Sequence, residues 1–421
     1  MKKRILICLE RLDIGGVETA VITQAREYKR RGYEVTLIAK SGCYSEILKK
    51  EGFKLYEYDF TLTNELVLSK EIENIIEENK ITEIHIHQYP CLLHILPWAM
   101  IKKIPYVIYI HSSVPTTYEW FEKTYPIFNF IFPIAFKNAE KIVTIRKEEE
   151  KINKERFDIR NRNKYYYLKN SLDLEEINKY QSNKRNKNKI LIIGRICAEK
   201  EKMIISGINF ALKYKERNKN TKITVVGDGQ KLEELKEKYP ENVEFYGKTT
   251  DVFNFMKDYG IIIAADRCVL EALALNRITI LSSYEGNLDL VTKNNIEELS
   301  HDNFSGHKMK NNENLLDVIH SLTKKQIEEI INENQKYINK NHNIKINILD
   351  ENLKYNLKEE IEPLFSGLEY FTKKLIEEQQ ISKKLWEENQ SLYQEINQLN
   401  AKLSKSFLQR IKNYRKKDEV K

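Results

Sequence analysis

Short apolar runs alternate with longer amphipathic stretches along most of the chain. The first apolar run, 5–9, is followed by Gly15-Gly16 and by a helix predicted over about 18–31, which Gly32 would cap. Further strands are predicted at 35–39, 84–87, 106–110, 142–145 and 165–168. Strands that alternate with helices predict a parallel sheet covered by helices on both faces.

A polar stretch separates this unit from a second one with the same alternation. Residues 183–189 are Lys, Arg and Asn without an apolar side chain, a composition typical of a linker. Strands follow at 190–193, 223–226, 243–246, 261–264 and 279–282, with a helix at about 270–275. The pattern therefore predicts two consecutive α/β domains, 1–182 and 190–345, joined by the linker 183–189 and facing a cleft.

The tail, 346–421, has a different pattern. Apolar residues keep an alternating spacing of three and four between 364 and 403, which is typical of a coiled coil. Residues 402–421 carry eight Lys/Arg against two acidic residues, and an apolar stripe continues among them. We expect a homo-oligomer through 364–403 and a peripheral membrane contact through 402–417. One long solvated helix folded back on the body is the alternative to both.

Composition narrows the function classes. The chain has 421 residues and a net charge of +8, and residues 402–421 alone carry +6 of it, so a protein that coats nucleic acid is not expected. Five cysteines lie scattered without metal-binding spacing, which indicates neither a zinc site nor a disulfide framework and fits a reducing cytoplasm. The N-terminal apolar run is cut off by Glu10 and Arg11 and is interpreted as a strand rather than a signal peptide.

Glycines and cations at the ends of predicted strands suit a phosphate ligand. Gly15 and Gly16 precede a helix whose backbone N–H groups can approach an anion, and a tight strand–helix turn is the alternative. Gly194 and Arg195 end the first strand of the second unit, and Lys200 lies five residues further on. Such a pair of cations suits a diphosphate, and two solvated side chains are the alternative.

Other polar side chains are predicted at the same carboxyl edges of the sheets. Glu271 lies in the predicted first turn of a helix, where it can accept bonds from ribose hydroxyls or balance the helix dipole. His111 ends the strand 106–110 and would face the ligand crevice. His85 and His87 alternate with isoleucines on one strand and are interpreted as structural.

In their order along the chain, these segments resemble the retaining GT-B glycosyltransferases of the large bacterial family four. The resemblance covers about 1–345 and rests on the following segments: Gly15-Gly16-Val17-Glu18, His111, Lys169-Asn170-Ser171-Leu172-Asp173, Gly194-Arg195 with Glu199-Lys200, Val226-Gly227-Asp228-Gly229 and Leu270-Glu271-Ala272-Leu273-Ala274. It implies two Rossmann-like domains with a nucleotide sugar in the cleft. By the same resemblance, Arg195 and Lys200 hold the donor diphosphate, Glu271 holds the ribose, and Gly15 and Gly16 belong to the donor-binding set, with Gly16 against the phosphates. His111 touches the transferred sugar or stabilises the transition state.

One feature departs from that family. The family usually has two glutamates eight positions apart; Glu271 matches the second, but Ile263 occupies the first position. The loop is short, and only Asp266 and Arg267 offer polar groups. Either Asp266 replaces the carboxylate at a different spacing, or Arg267 contacts the donor, or the sugar loses a partner. We therefore expect the nucleotide half of the site to be better preserved than the sugar half.

The resemblance implies a retaining, metal-independent transfer of a hexose-type unit from a nucleotide diphosphate sugar to an acceptor hydroxyl, without a cofactor. The expected acceptor is a bacterial surface polysaccharide or its lipid carrier, reached in the cytoplasm or at the inner face of the membrane. The main alternative is a non-catalytic GT-B homologue that scaffolds or regulates an active partner through its coiled coil. A GT-B nucleotide-sugar 2-epimerase is a second alternative, which the Gly-Arg…Glu-Lys element disfavours.

Overall fold

The structure is a computed structural model of the full chain. It describes residues 3–111, 116–157, 164–182 and 185–355, and further along 381, 384–385, 387–392 and 394–395. Two sheets, one from each half of the described chain, organise it.

The first sheet has seven parallel strands in the order β3-β2-β1-β4-β5-β6-β7. Its strands are β1 Arg4–Arg11, β2 Glu34–Lys40, β3 Lys54–Glu57, β4 Glu83–Ile86, β5 Tyr106–Ile110, β6 Lys141–Thr144 and β7 Tyr165–Tyr167. The helices in this part of the chain are α1 Gly16–Arg30, α2 Ser45–Lys50, α3 Lys70–Glu78, α4 Leu92–Ile101, α5 Thr116–Thr124, α6 Phe128–Asn138, α7 Glu149–Arg156 and α8 Leu174–Asn178. The parallel sheet predicted for the first half is confirmed.

The second sheet has six strands in the order β10-β9-β8-β11-β12-β13, and only β13 is antiparallel to its neighbour. Its strands are β8 Lys189–Ile193, β9 Lys222–Val226, β10 Glu244–Gly247, β11 Ile261–Ala264, β12 Ile278–Ser282 and β13 Leu288–Leu290. The helices are α9 Glu201–Arg217, α10 Leu232–Lys238, α11 Val252–Met256, α12 Arg267–Ala274, α13 Ile296–His301, α14 Leu315–Ser321 and α15 Lys324–Asn341. Two Rossmann-like α/β sheets are therefore present, as predicted.

Burial explains why the central strands were predictable. All five residues of β5 and all four of β11 are buried, so these strands are continuous apolar runs covered on both faces. The strands β3 and β13 were missed. β3 lies at a sheet edge and has two half-buried residues, Leu55 and Tyr56, between exposed Lys54 and Glu57, and β13 has only three residues. Neither presents an apolar run that the sequence alone distinguishes from a loop.

The chain returns to the first sheet after α15. Leu349 packs beside Val107, Tyr109 and Val143, and its carbonyl accepts a 2.8 Å hydrogen bond from the Tyr28 hydroxyl. One residue further, Asp350 accepts a 2.6 Å bond from the Arg31 guanidinium. The first residues of the predicted tail, around 349–350, therefore pack against the first domain and cover part of its apolar face.

Beyond residue 355, little of the tail lies within the described residues. Leu385 and Leu392 are helical and about half exposed, at 55% and 54%. The rest of the apolar register over 364–403 and the whole of 402–417 lie outside the described residues, so the oligomer and the membrane contact stay predictions. Within the described part of the chain, every helix is too short or too polar to cross a bilayer.

Leu349→Ala tests whether the returning segment stabilises the first domain. Leu349 is 5% exposed, and truncating a buried leucine costs about 2–4 kcal/mol of unfolding free energy. We expect a lower midpoint of urea unfolding, followed by the fluorescence of the tryptophans. Ile346→Ala, three residues earlier and 65% exposed, is the matched control and should change the midpoint little. Equal midpoints for the two variants would contradict this packing.

Candidate active site

A turn after β8 carries Arg195, and two glycines of a neighbouring loop fix its shape. A Cβ atom at Gly227 would lie 1.9 Å from the carbonyl oxygen of Gly194, and one at Gly229 would lie 2.4 Å from that of Ile196. Both glycines also have positive φ angles, 154° and 149°. Only glycine permits so close a backbone approach here. The Gly-Asp-Gly element therefore supports the turn from beneath, and the Arg195 side chain is exposed above it.

The glycine turn of the first domain lies next to Arg195. Gly15 caps α1 with an extended backbone, and a Cβ placed on it would lie 3.4 Å from Nη2 of Arg195. The Glu18 carboxylate occupies the same space, because that Cβ would lie 2.1 Å from its Oε2. Burial raises the pKa of Glu18, although its own backbone N–H and the charge of Arg195 act in the opposite direction. The N-terminus of α1 and the basic turn thus face each other across the two domains.

Lys200 already has an anionic partner within the chain. Its ammonium donates a 2.6 Å hydrogen bond to Oδ2 of Asp266, and the Tyr284 hydroxyl donates a 2.7 Å bond to the same oxygen. Burial alone would lower the pKa of Lys200, but the negative charge of Asp266 outweighs it, so the pKa is raised. Lys200 is therefore positively charged at neutral pH, and a substrate anion has to compete with Asp266 for it.

The short loop before α12 corrects one sequence prediction. The helix begins at Arg267 rather than at about residue 270, so Glu271 lies in its second turn instead of its first. Asp266 precedes the helix with a φ angle of +55°, a strained value for a residue other than glycine. Its N–H donates a 2.8 Å bond to the carbonyl of Phe304, which holds that conformation. The early start places Arg267 one turn before Glu271, on the same helix face.

Arg267 is buried at the junction of the two domains and uses each of its nitrogens. Within α12, its Nε donates a 3.1 Å bond to Oε1 of Glu271. Its Nη1 donates to the Asn170 side chain at 2.8 Å and to the Ser171 carbonyl at 2.9 Å, both in the segment after β7. Its Nη2 donates a 3.1 Å bond to the Thr23 hydroxyl on α1. One guanidinium therefore joins the ligand helix of the second domain to two elements of the first.

The pairing with Arg267 also sets the state of Glu271. Glu271 is only 6% exposed, and burial raises its pKa, while the charge and hydrogen bond of Arg267 act to lower it. A buried carboxylate needs such a partner to keep its charge. Glu271, which is predicted to hold the ribose, is thus held in place by Arg267 at the start of α12.

His111 directly follows β5, on the other side of the cleft. Its Nε2 lies 2.9 Å from Nδ1 of His87, which follows β4. Burial and the nearby charge of Arg267 lower the pKa of His111 to about 4, so the ring is neutral at pH 7. A neutral imidazole at this position can offer or accept one hydrogen bond without bringing a second positive charge to the site.

The structure brings the predicted site residues into one region. They form two groups of contacting side chains, and Gly15 lies close to Arg195 beside them. Lys200 contacts Asp266, while Arg267 contacts Glu271 and lies close enough to His111 to affect its pKa. Sequence reasoning missed the partners Tyr284, Thr23 and His87. Asn170 belonged to a recognised segment, but nothing in the sequence linked it to Arg267, which lies 97 positions away. His87 was predicted to be structural. Its burial agrees with that role, and its contact with His111 also connects it to the candidate site.

Arg267→Ala tests whether the buried guanidinium holds the domains together. The variant leaves Glu271 as a buried carboxylate without this partner, and breaking a buried ion pair costs about 3–5 kcal/mol. We expect a large drop in the thermal unfolding midpoint. The control is Arg217→Ala, which removes a half-exposed pair with Asp317 and should cost less than about 1 kcal/mol. Similar shifts for the two variants would show that Arg267 has no special role in stability.

Several solved structures have a similar fold. The Anabaena protein HepE in complex with UDP-glucose is 14% identical, with a TM-score of 0.60 over 82% of this chain and 96% of that one. An alpha-glucosyltransferase in complex with UDP and a DNA 13-mer is 14% identical, with a TM-score of 0.56 over 82% and 97%. WaaG, a glycosyltransferase involved in lipopolysaccharide biosynthesis, is 14% identical, with a TM-score of 0.50 over 80% and 95%. At these identities the likeness shows the fold.

Two family models match the chain in succession. Residues 14–176 match the model of Glycosyltransferase Family 4, and residues 187–323 match that of Glycosyl transferases group 1. A comparison with curated proteins gave no match. The two matches cover most of both α/β domains and the candidate site between them. The chain therefore belongs to the GT-B glycosyltransferases of the family-4 type.

Proposed function

We propose that the chain transfers a hexose-type sugar, with retention of configuration, from a nucleoside diphosphate sugar bound in the cleft to an acceptor hydroxyl. The observation that carries the proposal is the close approach of Arg195 to the N-terminus of α1. Arg195 lies just after β8, and Lys200 follows it by five residues. Two cations and a helix N-terminus form a site for a diphosphate. HepE, which has the same fold, is known in complex with UDP-glucose.

The proposed chemistry is electrostatic. When the bond between the sugar and the diphosphate breaks, negative charge develops on the leaving diphosphate. Arg195 and Lys200 stabilise that charge because both cations lie where the diphosphate is proposed to bind. In this proposal these side chains supply the charge compensation, so no metal ion and no cofactor has a role. Glu271 accepts hydrogen bonds from the ribose while Arg267 holds its carboxylate in place.

The sugar half of the site departs from the usual arrangement. The carboxylate of Asp266 is engaged by Lys200 and Tyr284, and the guanidinium of Arg267 is engaged by both domains. Asp266 can turn to the sugar only if the donor diphosphate takes over Lys200. We propose that this exchange occurs on donor binding. The sugar is then held by Asp266 and His111 in place of the missing glutamate.

The proposed acceptor is a bacterial surface polysaccharide or its lipid carrier. WaaG, a protein of the same fold, acts in lipopolysaccharide biosynthesis. The basic stripe at 402–417 fits an acceptor presented at the inner face of a membrane. The enzyme would then work in the cytoplasm, next to the bilayer.

A specific observation also favours the non-catalytic alternative. Two of the residues predicted to bind the donor already form ion pairs within the chain. Lys200 pairs with Asp266, and Glu271 pairs with Arg267. A protein that only scaffolds a partner would retain its fold through such pairs and would bind no donor. Nucleotide binding therefore separates the two functions.

Thermal stabilisation by UDP, GDP, ADP and CMP tests the proposed function. A ligand that binds only the native state raises the unfolding temperature, and at 100 times its Kd it adds about 2.7 kcal/mol of stability. We expect one nucleoside diphosphate to stabilise the protein and Lys200→Ala to abolish the effect. Lys202→Ala removes the same charge from an exposed position two residues on and should keep it. If no nucleotide at millimolar concentration shifts the midpoint, the scaffold function replaces the enzyme.

Asp266→Asn tests the competition for Lys200. Removing the carboxylate charge frees the ammonium for a phosphate, so the affinity for the selected nucleoside diphosphate should rise about five-fold, the equivalent of ~1 kcal/mol. Calorimetric titration measures the change. Asp258→Asn makes the same charge change at an exposed position and should leave the affinity unaltered. Weaker binding by Asp266→Asn would mean instead that Asp266 positions Lys200 for the ligand.

A further inference from the structure

A buried histidine lies directly behind His111. His87 follows β4 and His111 follows β5, and these neighbouring parallel strands end at the same edge of the sheet. The contact between Nδ1 of His87 and Nε2 of His111, at 2.9 Å, is a hydrogen bond between two rings. His87 is 1% exposed, so it is buried beneath His111 at this edge of the cleft.

Stacking fixes the orientation of both rings. The His87 ring stacks on Tyr109 with centroids 4.2 Å apart and an angle of 15° between the planes. His111 lies nearly parallel to both, at 29° to His87 and 17° to Tyr109. The Tyr109 hydroxyl is held in turn, 3.3 Å from that of Tyr28. His87 therefore cannot turn to exchange its two nitrogens without disturbing a packed column of rings.

The surroundings of His87 decide which nitrogen carries its proton. Burial lowers the pKa of His87 well below the usual value, and the neighbouring His111 and His85 add to the effect, so the ring is neutral. Among the residues that the structure describes, its buried Nε2 has no hydrogen-bond partner. A buried N–H without an acceptor is more costly than a bare ring nitrogen. The proton of His87 therefore belongs on Nδ1, from which it is donated to Nε2 of His111.

The same bond then fixes the proton of His111. Its pKa of about 4 leaves the ring neutral, with one proton for two nitrogens. Because Nε2 accepts from His87, the single proton must be on Nδ1. In water a histidine ring has no such constraint and exchanges between its two neutral forms.

We propose that His87 is a positioning residue: its Nδ1–H holds His111 in the Nδ1–H tautomer, so that His111 offers a neutral hydrogen-bond donor to a hydroxyl of the transferred sugar. The identity of that acceptor rests on the proposed function, but the tautomer does not. A neutral donor suits an uncharged hydroxyl and adds no positive charge beside Arg267. The nucleotide half of the site is not involved.

Nitrogen NMR of the full chain labelled with ¹⁵N-histidine reads the tautomer directly, and His111→Ala assigns the His111 signals. At pH 7 we expect a protonated Nδ1 and an unprotonated Nε2 in the wild type. His87→Phe keeps the ring stack but removes the donor, and should release His111 into the Nε2–H form or a mixture. His87→Asn places an amide N–H near the original Nδ1 and should restore the Nδ1–H form. His320→Phe is the control, since His320 also stacks on a tyrosine but lies in the second domain.

Kinetics with UDP-glucose, or with the nucleotide sugar that supports turnover, add a second readout. We expect His87→Phe to lower kcat about ten-fold, the scale of one neutral hydrogen bond, with unchanged affinity for UDP alone. His87→Asn should recover most of the loss. A wild-type His111 protonated on Nε2 would overturn the proposal, as would an unchanged tautomer in His87→Phe. The wild-type spectrum decides the first point even if His87→Phe does not fold, and absence of turnover would count against the proposed function alone.

Discussion

The rest of the structure depends on where the buried positive charge of Arg267 finds its hydrogen-bond acceptors. Arg267 is 5% exposed, and a guanidinium removed from water needs a hydrogen-bond acceptor for each nitrogen. It finds them on α1, on the segment after β7 and on its own helix. No single domain contains all of these acceptors. The same side chain therefore contributes to the pairing of the two domains and holds Glu271 in the cleft.

The short loop before α12 has a second consequence for the ligand. It begins the helix early, and the strained Asp266 turns its carboxylate to Lys200 and Tyr284. The site thus holds two ion pairs where a donor would need one free cation and one accessible carboxylate. A donor that brings two phosphates can replace Asp266 at Lys200, because a diphosphate offers more charge than one carboxylate. In this account the missing glutamate is not simply lost. The diphosphate replaces Asp266 at Lys200, and the released carboxylate of Asp266 then takes the role of that glutamate.

The sequence predicted those features whose physical cause lies within one short segment of the chain. Buried parallel strands such as β5 and β11 are continuous apolar runs. The side chains at their carboxyl ends, His111 among them, were predicted as site residues because ligands bind at that edge of such sheets. Partners from distant parts of the chain were not predictable. Thr23 lies 244 positions from Arg267, and no spacing rule connects them. His87 was judged by its own strand pattern, which indicates burial but not that its ring would bond to His111 one strand away.

The most direct test of the account is a crystal structure of the protein with a bound nucleoside diphosphate sugar. We predict that the diphosphate lies between Arg195, Lys200 and the N-terminus of α1. The 2.6 Å contact between Lys200 and Asp266 should be broken, while Arg267 keeps its bonds to Thr23 and Asn170. A nucleotide bound elsewhere would contradict the account, as would one in the cleft with the contact between Lys200 and Asp266 intact.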